Sequence, residues 1–137
     1  MKNTHATGNV GEMRVAYEAT KRGYIVSIPV GHDARYDMIV ERHGKLERVQ
    51  VKTVNSDGEC IGVRLKSVGK LDGKTIAKKY TSDEIDWVVV FDITTDQCLY
   101  VPAAIFGTGM NSINIRLKPS KSGMKKRCNF AEAFRDW

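Results

Sequence analysis

Cysteine is scarce in this sequence, and its copies lie far apart. Cys60, Cys98 and Cys128 form no Cys-x-x-Cys pair, so their spacing favours neither a zinc knuckle nor a disulfide framework. The N-terminus, MKNTHATGNV, lacks the apolar run of a signal peptide, and no apolar stretch approaches the length of a membrane span. These absences predict a reducing intracellular (cytoplasmic) location, with an organelle as an alternative, and no membrane association.

Acidic residues are also in the minority. The 137-residue chain has 22 lysine and arginine residues against 16 acidic residues, a net charge of +6. A basic chain favours a polyanionic partner, of which DNA and RNA are the common ones. Hydrophobic residues make up 42% of the chain and charged residues 28%, which is typical of a folded globular protein. The length suits a single domain over 1–137.

Helical and strand patterns along the chain predict an α/β fold around one sheet. Apolar residues at helical spacing predict a helix over 9–22 with Val10, Met13 and Tyr17 on its apolar face. Predicted strands cover 24–30, 36–41, 46–54, 61–66, 87–93, 98–101 and 112–117. The other stretches are expected to be a basic loop (67–79), a helical turn (81–85), a mobile or DNA-facing lysine-rich stretch (118–127) and a terminal helix (130–137).

The most informative pattern is Asp37 on one strand and Gln50-x-Lys52 on the next. Side chains alternate along a strand, so Gln50 and Lys52 share one face while Val51 points to the other. A Gly44 turn joins the two strands into a hairpin and brings Asp37 beside that pair. Carboxylate, amide and backbone carbonyl oxygens suit a hard divalent cation, and a lysine stabilises charge on a phosphate. The pattern therefore favours phosphodiester hydrolysis.

These residues resemble the PD-(D/E)XK nuclease superfamily. The helix that opens with Gly8-x-x-Gly11-Glu12 is similar to that of archaeal Holliday junction resolvases and, more closely, of group I intron-encoded PD-(D/E)XK homing endonucleases. The stretches 80–86 and 98–102 resemble the second half of the intron-encoded family. The resemblance implies a single α/β domain with a restriction-endonuclease-like core, a central mixed β-sheet flanked by helices. It also implies that Glu12 lies near the metal.

Two positions depart from the family pattern. Tyr36 stands where a proline is usual, and that proline performs no chemistry. Gln50 stands where most members have an acid, although some intron-encoded members resemble this chain in carrying Gln-x-Lys. A neutral amide binds a cation less strongly than a carboxylate does. An engineered Glu-to-Gln substitution remains an alternative explanation of Gln50.

The resemblance implies a catalytic set of Asp37, Gln50, Lys52 and Glu12. The metal ligands are expected to be Asp37, Gln50, the Val51 carbonyl and Glu12, and the expected ion is Mg²⁺, with Mn²⁺ as a substitute. Basic residues outside this set are expected to contact DNA phosphates, with plain solvated surface as the alternative. They are His32, Arg35, Lys66, Lys70, Lys74, Lys78, Lys121, Lys125, Lys126 and Arg127.

The favoured function is a metal-dependent endonuclease that cuts duplex DNA at a specific site, as a homing endonuclease does. A junction resolvase and a restriction-type nuclease use the same core and remain alternatives. A domain that binds DNA without cutting it is the alternative of another class, because Gln50 weakens the metal site. A duplex has two strands and the chain has one candidate site, so a homo-oligomer, a dimer or a tetramer, is expected.

Overall fold

A computed structural model of the chain describes residues 4–31, 33–119 and 129–137. Helix α1 precedes a series of strands, and short helical segments follow β8 and β10. In chain order the elements are α1 (Thr4–Lys21), β1 (Ile25–Ser27), β2 (Met38–Arg42), β3 (Lys45–Val54), β4 (Cys60–Arg64), β5 (Lys66–Leu71), β6 (Lys74–Lys79), β7 (Trp87–Asp92), β8 (Gln97–Pro102), α2 (Ala103–Phe106), β9 (Ser112–Arg116), β10 (Asn129–Phe130) and a 3₁₀ helix (Ala131–Phe134).

The centre of the fold is a five-stranded sheet with the order β1-β2-β3-β7-β8. Strands β3 and β7 run parallel, and the other neighbours are antiparallel, so the predicted mixed sheet is confirmed. Strand β7 is buried from Val88 to Asp92 because it lies between β3 and β8 and both faces of the sheet are covered. This burial explains why 87–93 is the most apolar stretch of the sequence.

Helix α1 packs on one face of the sheet through Gly11, Val15 and Ala19, all buried. The predicted apolar face was wrong, because Met13 is 73% exposed and Tyr17 is 57% exposed. Small side chains four residues apart let the helix lie close to the sheet, and this favours their face over the bulkier one. At Gly11 the helix lies so close to β3 that an added Cβ would clash with Thr53.

The opposite face of the sheet is covered by a second, three-stranded sheet with the order β10-β9-β4. Side chains from both sheets and from the short helical segments form one core. The members include Ile61, Val63, Leu65, Val88, Val90, Leu99, Phe106, Ile113, Ile115 and Phe134. The expected flanking helices are therefore correct for α1, whereas strands provide most of the cover on the other side.

The basic loop predicted over 67–79 is wrong. Strands β5 and β6 pair in register from Lys66 with Lys79 to Leu71 with Lys74 and form a separate two-stranded sheet. Asp72 and Gly73 connect them with φ angles of 51° and 75°, as a type I′ hairpin turn requires. We call residues 66–79 the basic ribbon.

The chain ends differ from expectation as well. The predicted helix over 130–137 is reduced to a two-residue strand and the 3₁₀ helix. Trp137 stacks on Tyr100 with ring centroids 4.8 Å apart and contacts Tyr24 edge-on. The lysine-rich stretch 118–127 falls outside the described residues beyond Pro119. In the described ranges, no helix combines the length and the apolar character that crossing a bilayer requires.

Candidate active site

Asp37 lies at the start of β2 and completes the hydrogen bonding of β3. Its backbone N–H donates to the Val49 carbonyl at 2.9 Å. Its side-chain Oδ2 accepts the backbone N–H of Val51 at 2.8 Å. Because β2 begins only at Met38, the carboxylate takes the place of a further strand residue beside β3. The β2–β3 hairpin thus brings Asp37 to the Gln50-x-Lys52 strand, as the sequence predicts.

Glu12 reaches Asp37 from α1. Their carboxyl groups are in hydrogen-bond contact, and burial together with the nearby Asp37 raises the pKa of Glu12. Burial also raises the pKa of Asp37, although the Val51 N–H, the Glu12 contact and Lys52 act against the rise. Both acids line one cleft of about 280 Å³. The rest of its lining is Ile28, Pro29, Gly31, Ala34 and Tyr36.

Lys52 is half-buried on the other side of Asp37. Its Nζ donates to the Lys66 carbonyl at 3.4 Å and lies 5.1 Å from the centroid of the Tyr80 ring. Burial lowers the pKa of Lys52, and the nearby Arg64 and Arg35 lower it further, whereas Asp37 raises it. The ammonium group therefore has a carboxylate on one side and an aromatic face on the other.

Gln50 and Val51 stand next to the two acids. Val51 is 7% exposed, and its side chain packs toward α1 as expected from strand alternation. The Gln50 amide nitrogen donates to the Val51 carbonyl at 3.3 Å. In this conformation Gln50 presents its nitrogen to the carbonyl, so ligation of a cation by its oxygen requires the amide to turn by half a rotation.

The oxygen atoms around Asp37 fit a hard divalent cation. No group of three or more His, Cys, Asp or Glu side chains that could hold a metal ion occurs in the ranges that the structure describes. Glu12 and Asp37 supply two carboxylates, Val51 is hydrogen-bonded to Asp37, and the Gln50 amide contacts the Val51 carbonyl. A divalent cation would offset the raised pKa of two adjoining acids, and Mg²⁺ favours such ligands.

Tyr80 is a part of the site that sequence patterns do not reveal. Its ring is 2% exposed and lies between Lys52 and Arg35, whose Cζ is 4.8 Å from the ring centroid. Tyr80 belongs to the stretch that resembles the intron-encoded family, but a single aromatic residue at a strand end carries no signal for this contact. The Tyr80 ring thus packs against the ammonium group of Lys52.

Arg35 and Arg64 play different parts near the site. The Arg35 guanidinium donates to Glu84, Ser67 and the carbonyls of Lys78 and Lys79, so its donors are used within the protein. The Arg64 side chain is exposed and makes no hydrogen bond or ion pair within the described part of the chain, while its charge acts on Lys52. Sequence reasoning named Arg35 as a DNA contact and missed Arg64.

The other expected DNA contacts divide into two groups. Lys66, Lys70, Lys74 and Lys78 all lie on the basic ribbon, and Lys78 also pairs with Glu84 at 3.2 Å. The second group lies outside the described residues. It consists of His32, Lys121, Lys125, Lys126 and Arg127.

Gly11 determines how closely α1 can bring Glu12 to the sheet. A Cβ at Gly11 would clash with Thr53 Oγ1, which is buried and has no hydrogen-bond partner among the described residues, and would lie 3.4 Å from Val51 Cγ1. We expect Gly11→Ala to lower the free energy of unfolding by about 1–3 kcal/mol, because the helix must move away from the sheet. Thermal unfolding measures the effect.

Matched variants test this contact. Gly8→Ala on the same helix meets no atom within 4 Å and should raise stability, because alanine favours helix over glycine. Adding Thr53→Ala to Gly11→Ala removes the clashing oxygen and should restore most of the loss. Equal melting temperatures for the Gly8→Ala and Gly11→Ala proteins would contradict the argument.

The central sheet is mixed, and helix α1 packs over β3. Asp37, Lys52 and Glu12 lie near one another on this framework. This arrangement is typical of a restriction-endonuclease-like fold. The chain matches the model of the PD-(D/E)XK endonuclease family over residues 2–137, and it belongs to that family. This confirms the resemblance noted in the sequence.

The chain is similar to a phage protein and, in fold, to an endonuclease of solved structure. Protein 5.3 of Escherichia phage T7 is 38% identical over 78 residues, which are 54% of this chain and 66% of the phage protein. The match thus spans slightly less than two thirds of that relative. The solved structure of a bacterial homing endonuclease, I-Ssp6803I, superposes with a TM-score of 0.76 over 97% of this chain and 88% of that chain. The sequence identity is 20%, so this likeness shows a shared fold.

Proposed function

We propose that this protein is a divalent-metal-dependent endonuclease that hydrolyses phosphodiester bonds in duplex DNA at a specific site. The observation that carries the proposal is the meeting of Glu12 and Asp37 beside Val51, with Lys52 next to Asp37. Family membership supports the reaction class. The chain shares its fold with a bacterial homing endonuclease, an enzyme class that fits this proposal.

Each side chain has a distinct task in this proposal. Asp37 and Glu12, with the Val51 carbonyl and the Gln50 amide oxygen, hold Mg²⁺ or Mn²⁺. The bound ion supplies a Lewis acid for the scissile phosphate and lowers the pKa of water. The Lys52 ammonium stabilises negative charge on the phosphate, and its burial strengthens that interaction. Tyr80 keeps the ammonium in place, and Arg64 attracts the DNA backbone.

Cutting a duplex requires two sites, so the protein acts as a homo-oligomer, a dimer or a tetramer. An exposed apolar surface on α1 supports a contact between chains. Val10 is 37%, Met13 73% and Tyr17 57% exposed, and clustered exposed apolar side chains are typical of interaction surfaces.

Plasmid cleavage tests the proposed reaction. Supercoiled DNA should be nicked and then linearised with magnesium or manganese, and should stay intact with calcium or EDTA. The same preparation is offered a synthetic four-way junction and a library of random duplex sites. Sequencing of the cut ends should show one extended target. Cleavage of the junction by its shape would instead indicate a resolvase, and binding without cleavage in any metal would contradict nuclease activity.

A further inference from the structure

The basic ribbon projects from the fold as a separate element. Its strands pair only with each other, and β6 is exposed along its whole length. Six residues per strand, at about 3.3 Å each, give a length of roughly 20 Å. A two-stranded hairpin of this kind adds little to a core. Its exposed position therefore favours a role in binding a partner.

The composition of the ribbon indicates which partner. Residues 66–79 contain five lysines and one aspartate, which gives a net charge of +4. Three large apolar side chains are also exposed: Val68 at 47%, Leu71 at 62% and Ile76 at 46%. Side-chain alternation along β5 places Val68 on the same face as Lys70, and cross-strand pairing places Leu71 on the same face as Lys74. Lysines suit phosphates, and apolar side chains suit the thymine methyl group.

The root of the ribbon is fixed beside the catalytic residues. Lys52 Nζ donates to the Lys66 carbonyl at 3.4 Å. Arg35 donates to the Lys78 and Lys79 carbonyls at 3.2 and 3.1 Å. A duplex whose scissile phosphate lies at Lys52 therefore also passes the ribbon. Two strands fit a major groove about 12 Å wide and are too broad for a minor groove of about 6 Å.

We propose that the basic ribbon enters the major groove of the DNA duplex beside the scissile phosphate and contacts bases with its outer half. That the substrate is duplex DNA rests on the proposed function. The choice of the major groove and of the ribbon as the element that enters it goes beyond that function. The attachments to Arg35 and Lys52 make the ribbon a rigid extension of the site. It thereby fixes the distance between the bases that are contacted and the bond that is cut.

A shortened ribbon provides the test. Deleting Lys70, Leu71, Lys74 and Thr75 removes the two outer cross-strand pairs and keeps Asp72-Gly73 as the turn, now between Gly69 and Ile76. The number of removed residues preserves the face of every remaining side chain. The attachments of Ser67, Lys78 and Lys79 to the fold are unchanged.

Binding is measured in EDTA on two duplexes of one sequence. One contains ordinary cytosine, and the other contains glucosylated 5-hydroxymethylcytosine, whose sugar fills the major groove and leaves the backbone unchanged. We expect glucosylation to weaken binding of the parent protein by about tenfold or more, the effect of losing one or two groove contacts. The shortened protein should bind ordinary DNA about tenfold more weakly than the parent and should not distinguish the two duplexes.

Two full-length variants separate charge from groove insertion. Lys70→Gln with Lys74→Gln keeps the ribbon and should flatten the slope of log affinity against log salt by about 2, because each phosphate contact contributes about 0.9. It should remain sensitive to glucosylation. Lys21→Gln with Lys45→Gln removes two exposed charges at the opposite end of the sheet, where Tyr24 contacts His43, and should keep the parent slope.

The outcomes distinguish the two proposals. If glucosylation affects the parent and the shortened protein equally, or affects neither, the ribbon does not enter the major groove. Failure of the parent to cut ordinary DNA with magnesium would contradict the nuclease and leave the groove measurement valid, because binding is measured without cleavage. A parent protein that binds no duplex would overturn both.

Discussion

Replacing Asp37 with asparagine should reduce magnesium-dependent cleavage by roughly 10³-fold, the upper range for loss of one preorganised electrostatic group. Asparagine keeps an oxygen for the Val51 N–H, whose bond to Asp37 is 2.8 Å long, and removes the charge that holds the cation. Affinity for DNA in EDTA should be unchanged or higher. Calcium should raise the melting temperature of the parent and not of the variant.

The same substitution predicts a pH dependence of stability without metal. Burial raises the folded-state pKa of Asp37, so the protein loses stability as the pH rises from the unfolded pKa of this acid through its folded pKa. The asparagine variant should therefore melt at a higher temperature than the parent in EDTA at pH 8. The difference should shrink as the pH falls through the folded pKa and vanish below the unfolded pKa, where both side chains are neutral.

Asp136→Asn is the matched control, because Asp136 is an exposed acid next to the C-terminal Trp137. It should retain cleavage and the stabilisation by calcium. A parent-like rate for Asp37→Asn, within about tenfold, would show that the reaction does not depend on this carboxylate. Alanine at 37 is a poorer choice, because it also leaves the Val51 N–H without its acceptor.

Replacing Lys52 with methionine should lower cleavage by about 10²–10³-fold. Methionine keeps an apolar side chain of similar length against the Tyr80 ring, which lies 5.1 Å from the lysine nitrogen, and removes the charge. Calcium should still stabilise this variant, because the carboxylates of Glu12 and Asp37 remain. A single-turnover cleavage assay and thermal unfolding with calcium separate loss of chemistry from loss of metal.

Two Tyr80 variants test whether the ring positions Lys52. Tyr80→Phe keeps the aromatic face and should cleave at the parent rate, whereas Tyr80→Leu removes the face and should cleave about tenfold more slowly. Lys45→Met is the control for Lys52→Met, since Lys45 is an exposed lysine at the start of the same strand. If Lys45→Met and Lys52→Met reduce cleavage equally, Lys52 has no special role.

The predicted site came from local patterns that a hairpin preserves. Gly44 follows His43 at the turn, both with positive φ, and this turn fixes the register of β2 against β3. The position of Asp37 beside Val51 therefore follows from the register of this hairpin alone. The position of Glu12 near Asp37 was predicted from the family resemblance, because the helix pattern alone does not indicate which strand the helix packs against.

The errors arose where several patterns competed. On α1, the bulky apolar residues such as Met13 and Tyr17 seemed the natural core face, yet the helix packs through Gly11, where close contact is possible. In the basic ribbon, the lysines suggested a solvated loop and outweighed Asp72-Gly73, a strong hairpin signal. The role of Tyr80 rests on its contact with Lys52. Because the two residues are distant in sequence, no local pattern predicts that contact.

Asp37 belongs to the proposed active site and also accepts the Val51 N–H of the central sheet. These two roles determine how the site should change under mutation. Once selection for cleavage is lost, Lys52 and Glu12 are freer to change than Asp37, because within the described residues neither side chain pairs with a backbone group of the central sheet. Position 37 is not free, because an apolar residue there leaves a strand N–H of the central sheet unpaired. Inactive descendants of this protein should therefore keep Asp or Asn at 37 long after the rest of the site has drifted.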